Sequence, residues 1–141
     1  MQLNKYQERI IEIGQKKSAK LILPERDDPR VSLAKRHLRD LGYELLEPED
    51  FRSKRTQYQE VLEQERFFKK MTDEAKEEYM KDTLNFSMMM VSNGDADGLV
   101  AGSITSTSTV LHAAIRIVGV KPKSKWVSSS IFIISPNANT S

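Results

Sequence analysis

A chain of 141 residues, 38% apolar and 30% charged, is long enough for one packed core and too apolar to stay unfolded. Its 22 basic and 20 acidic side chains are interleaved and leave a net charge of +2, which gives no basic face for nucleic acid. Cysteine is absent, so disulfides, thiolate metal sites and thiol nucleophiles are excluded.

Leu3, Tyr6, Ile10 and Ile13 recur at helical spacing and predict an amphipathic helix over residues 3–16, lying on a core. The segment has neither the apolar run nor the small-residue cleavage site of a secretory signal. AKLILP reads as a buried strand closed by Pro24. Asp28 and Pro29 then supply the cap and first-turn proline of a helix whose apolar face is Val31, Ala34, Leu38 and Leu41. Gly42 stops that helix, and YELLEP predicts a second short strand. Residues 51–81 are polar with scattered aromatics, as expected of solvated surface helices, the second starting at Thr72.

Of the charged groups, 18 basic and 18 acidic ones fall in residues 1–82, so the core is expected mainly from the later part of the chain. DTLNFSMMMVSNG has a cap, apolar residues on nearly every face and a terminating Gly94, the pattern of a buried helix with Met88, Met89 and Met90 as filler. GLVAG predicts a short strand, residues 107–118 a helix, and WVSSSIFIIS a further strand. Strands alternating with helices imply a parallel sheet covered on both faces. The longest charge-free stretch, residues 98–115, is too rich in Ser, Thr and Gly to cross a membrane, so a cytoplasmic location without membrane contact is expected.

Only two histidines exist, His37 and His112, too far apart in sequence for a helical metal motif, and no metal site is expected. His37, between Arg36 and Leu38, reads as a surface residue. Asp95-Ala96-Asp97-Gly98 resembles the start of a calcium loop, but Ser106 stands where a bidentate Glu would close it, so a helix-to-strand turn is expected. The segment GLVAGSITSTSTVLHAAIRIV combines a strand, a glycine, hydroxyls and a helix start, an arrangement that suits a phosphate. Gly102 permits close backbone approach, and Ser103, Thr105, Ser106, Thr107 and Ser108 can donate hydrogen bonds. The same residues also serve as ordinary helix caps. The segment has neither the Gly-Lys-Ser/Thr of a Walker loop nor a dinucleotide fingerprint.

LPERDDPRVSLA, FSMMMVSNGDADGLVAG and LHAAIRIVGVKPKSKWVSSSIFI, in that order, resemble the phosphate acetyltransferase and phosphate butyryltransferase family, which also supplies the C-terminal domain of some malic enzymes. GDADGLV is the most specific piece. The resemblance implies a three-layer α/β/α sandwich with a mainly parallel sheet, like the family's first domain, of the isocitrate/isopropylmalate dehydrogenase-like class. Residues 1–141 form that one domain on this reading, and ISPNANTS falls where the family crosses into its second domain, which is expected to be absent.

The reaction implied is acyl transfer between acetyl-CoA and phosphate, giving acetyl phosphate and CoA, with coenzyme A a substrate and no cofactor. In the family the cleft lies between two domains, and the second provides a serine, an arginine and an aspartate base. Catalytic residues therefore cannot be assigned here, the chain alone is expected to turn over poorly, and a second acyltransferase domain or a homo-oligomer is the expected partner. The family loop reads Ser-Gly-Ala-x-His-Ser/Thr and its helix Asp-Thr-x-Arg-Pro. In this chain Ala101 replaces the serine, Thr105 the histidine, Thr109 the aspartate, His112 the arginine and Ala113 the proline. A histidine lacks the permanent charge and forked donors of arginine. Arg116, one turn further on, is the compensating candidate, and Arg66 in QERFFKK is similar to a family arginine that binds CoA. The phosphate site implied is Gly102, Ser103, Thr105, Ser106, Thr107, Ser108, His112 and Arg116. The rival reading is a degenerate, non-catalytic module for assembly or for sensing acyl-CoA or phosphate.

Overall fold

The computed structural model describes residues 2–133. Helix α1 (Lys5–Gln15) opens with a capping box: the Asn4 side chain accepts from the amides of Tyr6 and Gln7, and the Asn4 amide donates to Gln7 Oε1 at 3.0 Å. The expected packing of this helix on a core is not found. None of its residues is buried, and Ile10 is 67% exposed. The helix is fastened instead by polar contacts at its end. The Tyr43 hydroxyl donates to the Ile11 carbonyl at 3.0 Å, and Gln15 Nε2 donates to the Leu41 carbonyl at 2.7 Å. Gly14 makes the first contact feasible, because a Cβ there would run into the Tyr43 ring and hydroxyl.

Strand β1 (Lys20–Ile22) leads through the Asp28-capped, Pro29-started helix α2 (Pro29–Asp40) to β2 (Glu44–Leu45). A 3-10 turn (Pro48–Lys54) and four helices follow: α3 (Arg55–Leu62), α4 (Arg66–Lys69), α5 (Asp73–Lys81) and α6 (Thr83–Ser92). The chain then enters β3 (Gly98–Leu99), α7 (Thr107–Ala113) and a π-helical turn (Ala114–Val118). All three strands are parallel in the order β2-β1-β3, with Leu21 opposite both Leu45 and Gly98. The molecule is thus mixed α/β on a small parallel sheet, and β1 has neighbours reached in opposite directions.

The sheet differs from expectation in one strand. WVSSSIFIIS was expected in it, but residues 126–133 carry no strand, with Trp126 82% and Phe132 89% exposed. Ile134 and Ser135, which complete that run, lie outside the described residues. Strand propensity acts only where a neighbour accepts the backbone bonds, and residues 126–133 pair with none of the three strands.

The core also lies elsewhere than charge counting suggests. Tyr58, Leu62, Phe68 and Met80, from the region expected to be solvated, are fully or almost fully buried with Ile22, Phe86, Met89 and Met90. Each of these four sits on the inner face of a short helix whose other faces are mostly polar, so overall polarity concealed it. Met88, Met89 and Met90 are buried, as the apolar pattern of α6 predicts. The GDADG turn is tied down by its acids: Asp95 accepts from Lys54 Nζ at 2.6 Å and from the Tyr58 hydroxyl, and Asp97 accepts from the Lys20 amide at 2.7 Å. No helix among the described residues is long and apolar enough to cross a membrane.

Core truncation and surface truncation should therefore separate cleanly. Phe86→Ala, in the closed centre, should cost about 3–5 kcal/mol in denaturant unfolding. Ile10→Ala should stay within about 0.5 kcal/mol of the parent.

Candidate functional site

The carboxyl ends of β1 and β3 lie side by side, and the segments leaving them meet. From the β1 side comes Glu25, on a turn closed by the Arg26 amide on the Pro24 carbonyl at 2.9 Å. From the β3 side comes the loop of residues 102–105, turned inward at Gly102, whose φ of +116° favours glycine. Glu25 Oε1 accepts from the amides of Gly102 at 2.7 Å and Ser103 at 2.9 Å. Its Oε2 accepts from Ile104 at 2.6 Å and Thr105 at 2.7 Å. Burial, with only 8% of the residue exposed, works to raise the Glu25 pKa, but the four donors outweigh it and hold it at about 2.

Asp28 stands next to it, 4% exposed. The Arg30 guanidinium, bonded to both its oxygens at 2.8–3.2 Å, and then the Ser103 hydroxyl hold its carboxyl well below the usual carboxylate range, against the opposing effect of burial. Arg30 Nη2 also reaches the Ser103 carbonyl at 3.3 Å. Ser106 caps α7: its hydroxyl accepts the Thr109 amide at 3.2 Å and lies 2.8 Å from the Thr109 hydroxyl. Thr107 and Ser108 are exposed in the first turn.

The helical half of the predicted site faces another place. Arg116, on the π-helical turn, lines an open groove of about 670 Å³ with Arg66, Phe67, Lys70 and Met71. Its guanidinium lies over the Phe67 ring, 5.5 Å from the centroid. Arg116 also borders a pocket of about 170 Å³ with His112, Thr109, Tyr79 and Asn85. Burial raises the Tyr79 pKa, and neighbouring Arg116 partly counters it. The π turn places Arg116 here through the Gly119 amide on the Ala114 carbonyl at 2.9 Å, and Ser92 Oγ donates to the Ile117 carbonyl at 3.1 Å.

The predicted residues therefore fall into two groups. Gly102, Ser103 and Thr105 meet Glu25 and Asp28. Arg116 shares a groove with Arg66, which sequence spacing alone could not place, and His112 borders the second pocket beside Arg116. Sequence reasoning missed Glu25, Lys70, Tyr79 and Asn85. A carboxylate just past a buried strand, in a chain whose next parallel neighbour ends in glycine and hydroxyls, was the signal available for Glu25.

A family model described as phosphate acetyl/butaryl transferase matches residues 34–141. The chain belongs to the phosphate acetyl/butyryl transferase family. Among curated relatives, a phosphate acetyltransferase of Acetivibrio thermocellus is 42% identical over 57% of this chain and 24% of its own length. That of Thermoanaerobacterium thermosaccharolyticum is 32% identical over 91% of this chain and 46% of its own length. The chain thus spans less than half the length of these family members. EutD phosphotransacetylase from Staphylococcus aureus superposes with a TM-score of 0.61 at 23% identity, over 84% of this chain and 44% of that one, and so shares its fold.

The lowered Glu25 pKa has a pH signature. The group ordinarily titrates near 4.5, so its contribution to folding is complete above that pH and disappears as pH falls through about 2. Glu25→Gln should lower the melting temperature at neutral pH, and the gap from the parent should narrow between pH 4.5 and pH 2. Thermal melts across that range measure it.

Proposed function

We propose that this chain is the ligand-binding first domain of a phosphate acetyltransferase, with acyl phosphate meeting the loop after β3 and coenzyme A lying along the Arg66–Arg116 groove. The groove carries this reading: Arg66, Lys70 and Arg116 bring three cations around an apolar floor of Phe67 and Met71. A polyanion that also carries a flat ring fits such a surface, with phosphates on the cations and the ring against the apolar floor. His112, beside Arg116, adds a donor at the end nearer the hydroxyls of Ser106 and Thr109.

In the reaction, a base takes the proton of the CoA thiol, the sulfur attacks the acetyl carbonyl, and the carbon–oxygen bond to phosphate breaks. Donors around the loop and helix stabilise the charge on the departing phosphate. The base comes, on this reading, from a second acyltransferase domain or from a homo-oligomer partner. A cytoplasmic location goes with these substrates. A second reading, a binding module without turnover, draws support from Glu25, which fills the loop amides that a phosphate would use.

Calorimetric titration with coenzyme A should give saturable binding. Arg66→Ala and Arg116→Ala should each weaken it about three- to tenfold, the worth of one exposed charge-assisted contact. Arg36→Ala, remote on the sequence and exposed on α2, should leave it unchanged. Equal effects from all three substitutions would remove the groove from the proposal.

A further inference from the structure

In a parallel sheet, ligands enter the crevice outside the carboxyl ends of the strands at the point where chain connections depart in opposite directions. Here that point is unambiguous. The chain leaves β1 for β2 on one side and enters β3 on the other, so the crevice lies between β1 and β3. The crevice is polar. Four consecutive amides, those of Gly102, Ser103, Ile104 and Thr105, aim at one place, and the Ser103 hydroxyl stands beside them.

Successive amides converging in this way form an anion-binding concavity. Its present occupant is Glu25, a carboxylate from the opposite lip, with two amides on each oxygen. A loop that needed only to satisfy its backbone could use water or a carbonyl. The chain commits a buried charge instead, and a second buried carboxylate, Asp28, stands close by with Arg30 across it.

We infer that this crevice is an oxyanion site which the chain closes with its own Glu25, and that a phosphoryl group enters by taking over the amides of residues 102–105. The inference rests on the proposal that acyl phosphate meets this loop and adds that access to the loop is competitive. Two anions cannot share four donors, and a phosphate dianion placed beside an ionised Glu25 would be repelled. Glu25 and Asp28 are buried, but the two residues between them, Arg26 and Asp27, are exposed, so the turn that carries Glu25 borders solvent on its outer side. Arg30, exposed and already within 3.3 Å of the Ser103 carbonyl, is placed to meet the incoming charge.

The test is a titration of the isotope-labelled full chain with inorganic phosphate, followed through the amide resonances of residues 102–105, in the parent and in Glu25→Ala. The parent amides should barely respond, whereas the variant should bind phosphate at least tenfold more tightly, and formate should occupy the same amides in the variant alone. A folded variant whose amides ignore both anions overturns the inference. Equal response in parent and variant overturns the competition while leaving the phosphate reading intact. Should Glu25→Ala fail to fold, Glu25→Gln keeps the shape but turns one acceptor into a donor. Phosphate should then raise its melting temperature and not the parent's, and equal shifts in both would again overturn the inference. Failure of the coenzyme A groove would appear separately, in the Arg66 and Arg116 variants.

Discussion

The contact on which the rest of the site depends is a single carboxylate shared among four amides. Glu25 joins the ends of two strands that are only three and two residues long, each too short to fix the direction of the chain beyond it. With its oxygens bonded in pairs, it sets where residues 102–105 run and therefore where Ser106 begins α7. Charge-assisted bonds of this kind are about twice as strong as neutral ones. The loop is ordered by electrostatics, because Ser103 and Ile104 are exposed and no apolar packing holds them.

The core serves the site indirectly. Tyr58 closes over Phe86 with rings 5.3 Å apart and passes its hydroxyl to Asp95, at the turn that feeds β3. Phe67 and Phe68 divide between two tasks. Phe68 is buried in the core, whereas Phe67 stays half-buried and presents its face to Arg116. The same short helix therefore anchors the interior and floors the groove, so its four residues position Arg66 without a long scaffold.

Local signals in the sequence were reliable where the chemistry was local. Asp28 with Pro29, Asp82 and Ser106 all cap the helices that their types predict, and Gly42 and Gly94 end helices with φ near +90° and +81°. Signals that needed a distant partner were ambiguous. The apolar stripe of α1 has no surface to cover it, the β-rich residues 126–133 have no strand beside them, and Tyr58 and Phe68 look like surface aromatics until the helices around them are folded. The candidate site divided in the same way. The glycine and hydroxyls after β3 were visible, but the carboxylate that meets them lies 77 residues earlier and becomes legible only once β1 and β3 are neighbours.

The π-helical turn after α7 has a consequence for counting. An extra residue in one turn shifts the angular phase of everything beyond it, so a helical wheel drawn from His112 misplaces Arg116, Ile117 and Val118. Arg116 consequently borders two pockets instead of standing directly over His112. Removal of a single residue between Ala114 and Val118 would restore an ordinary helix and rotate the guanidinium off the Phe67 face, although no residue in contact with either pocket need change its identity. In this segment the number of residues, as much as their kind, is the variable that decides which neighbour a cation faces.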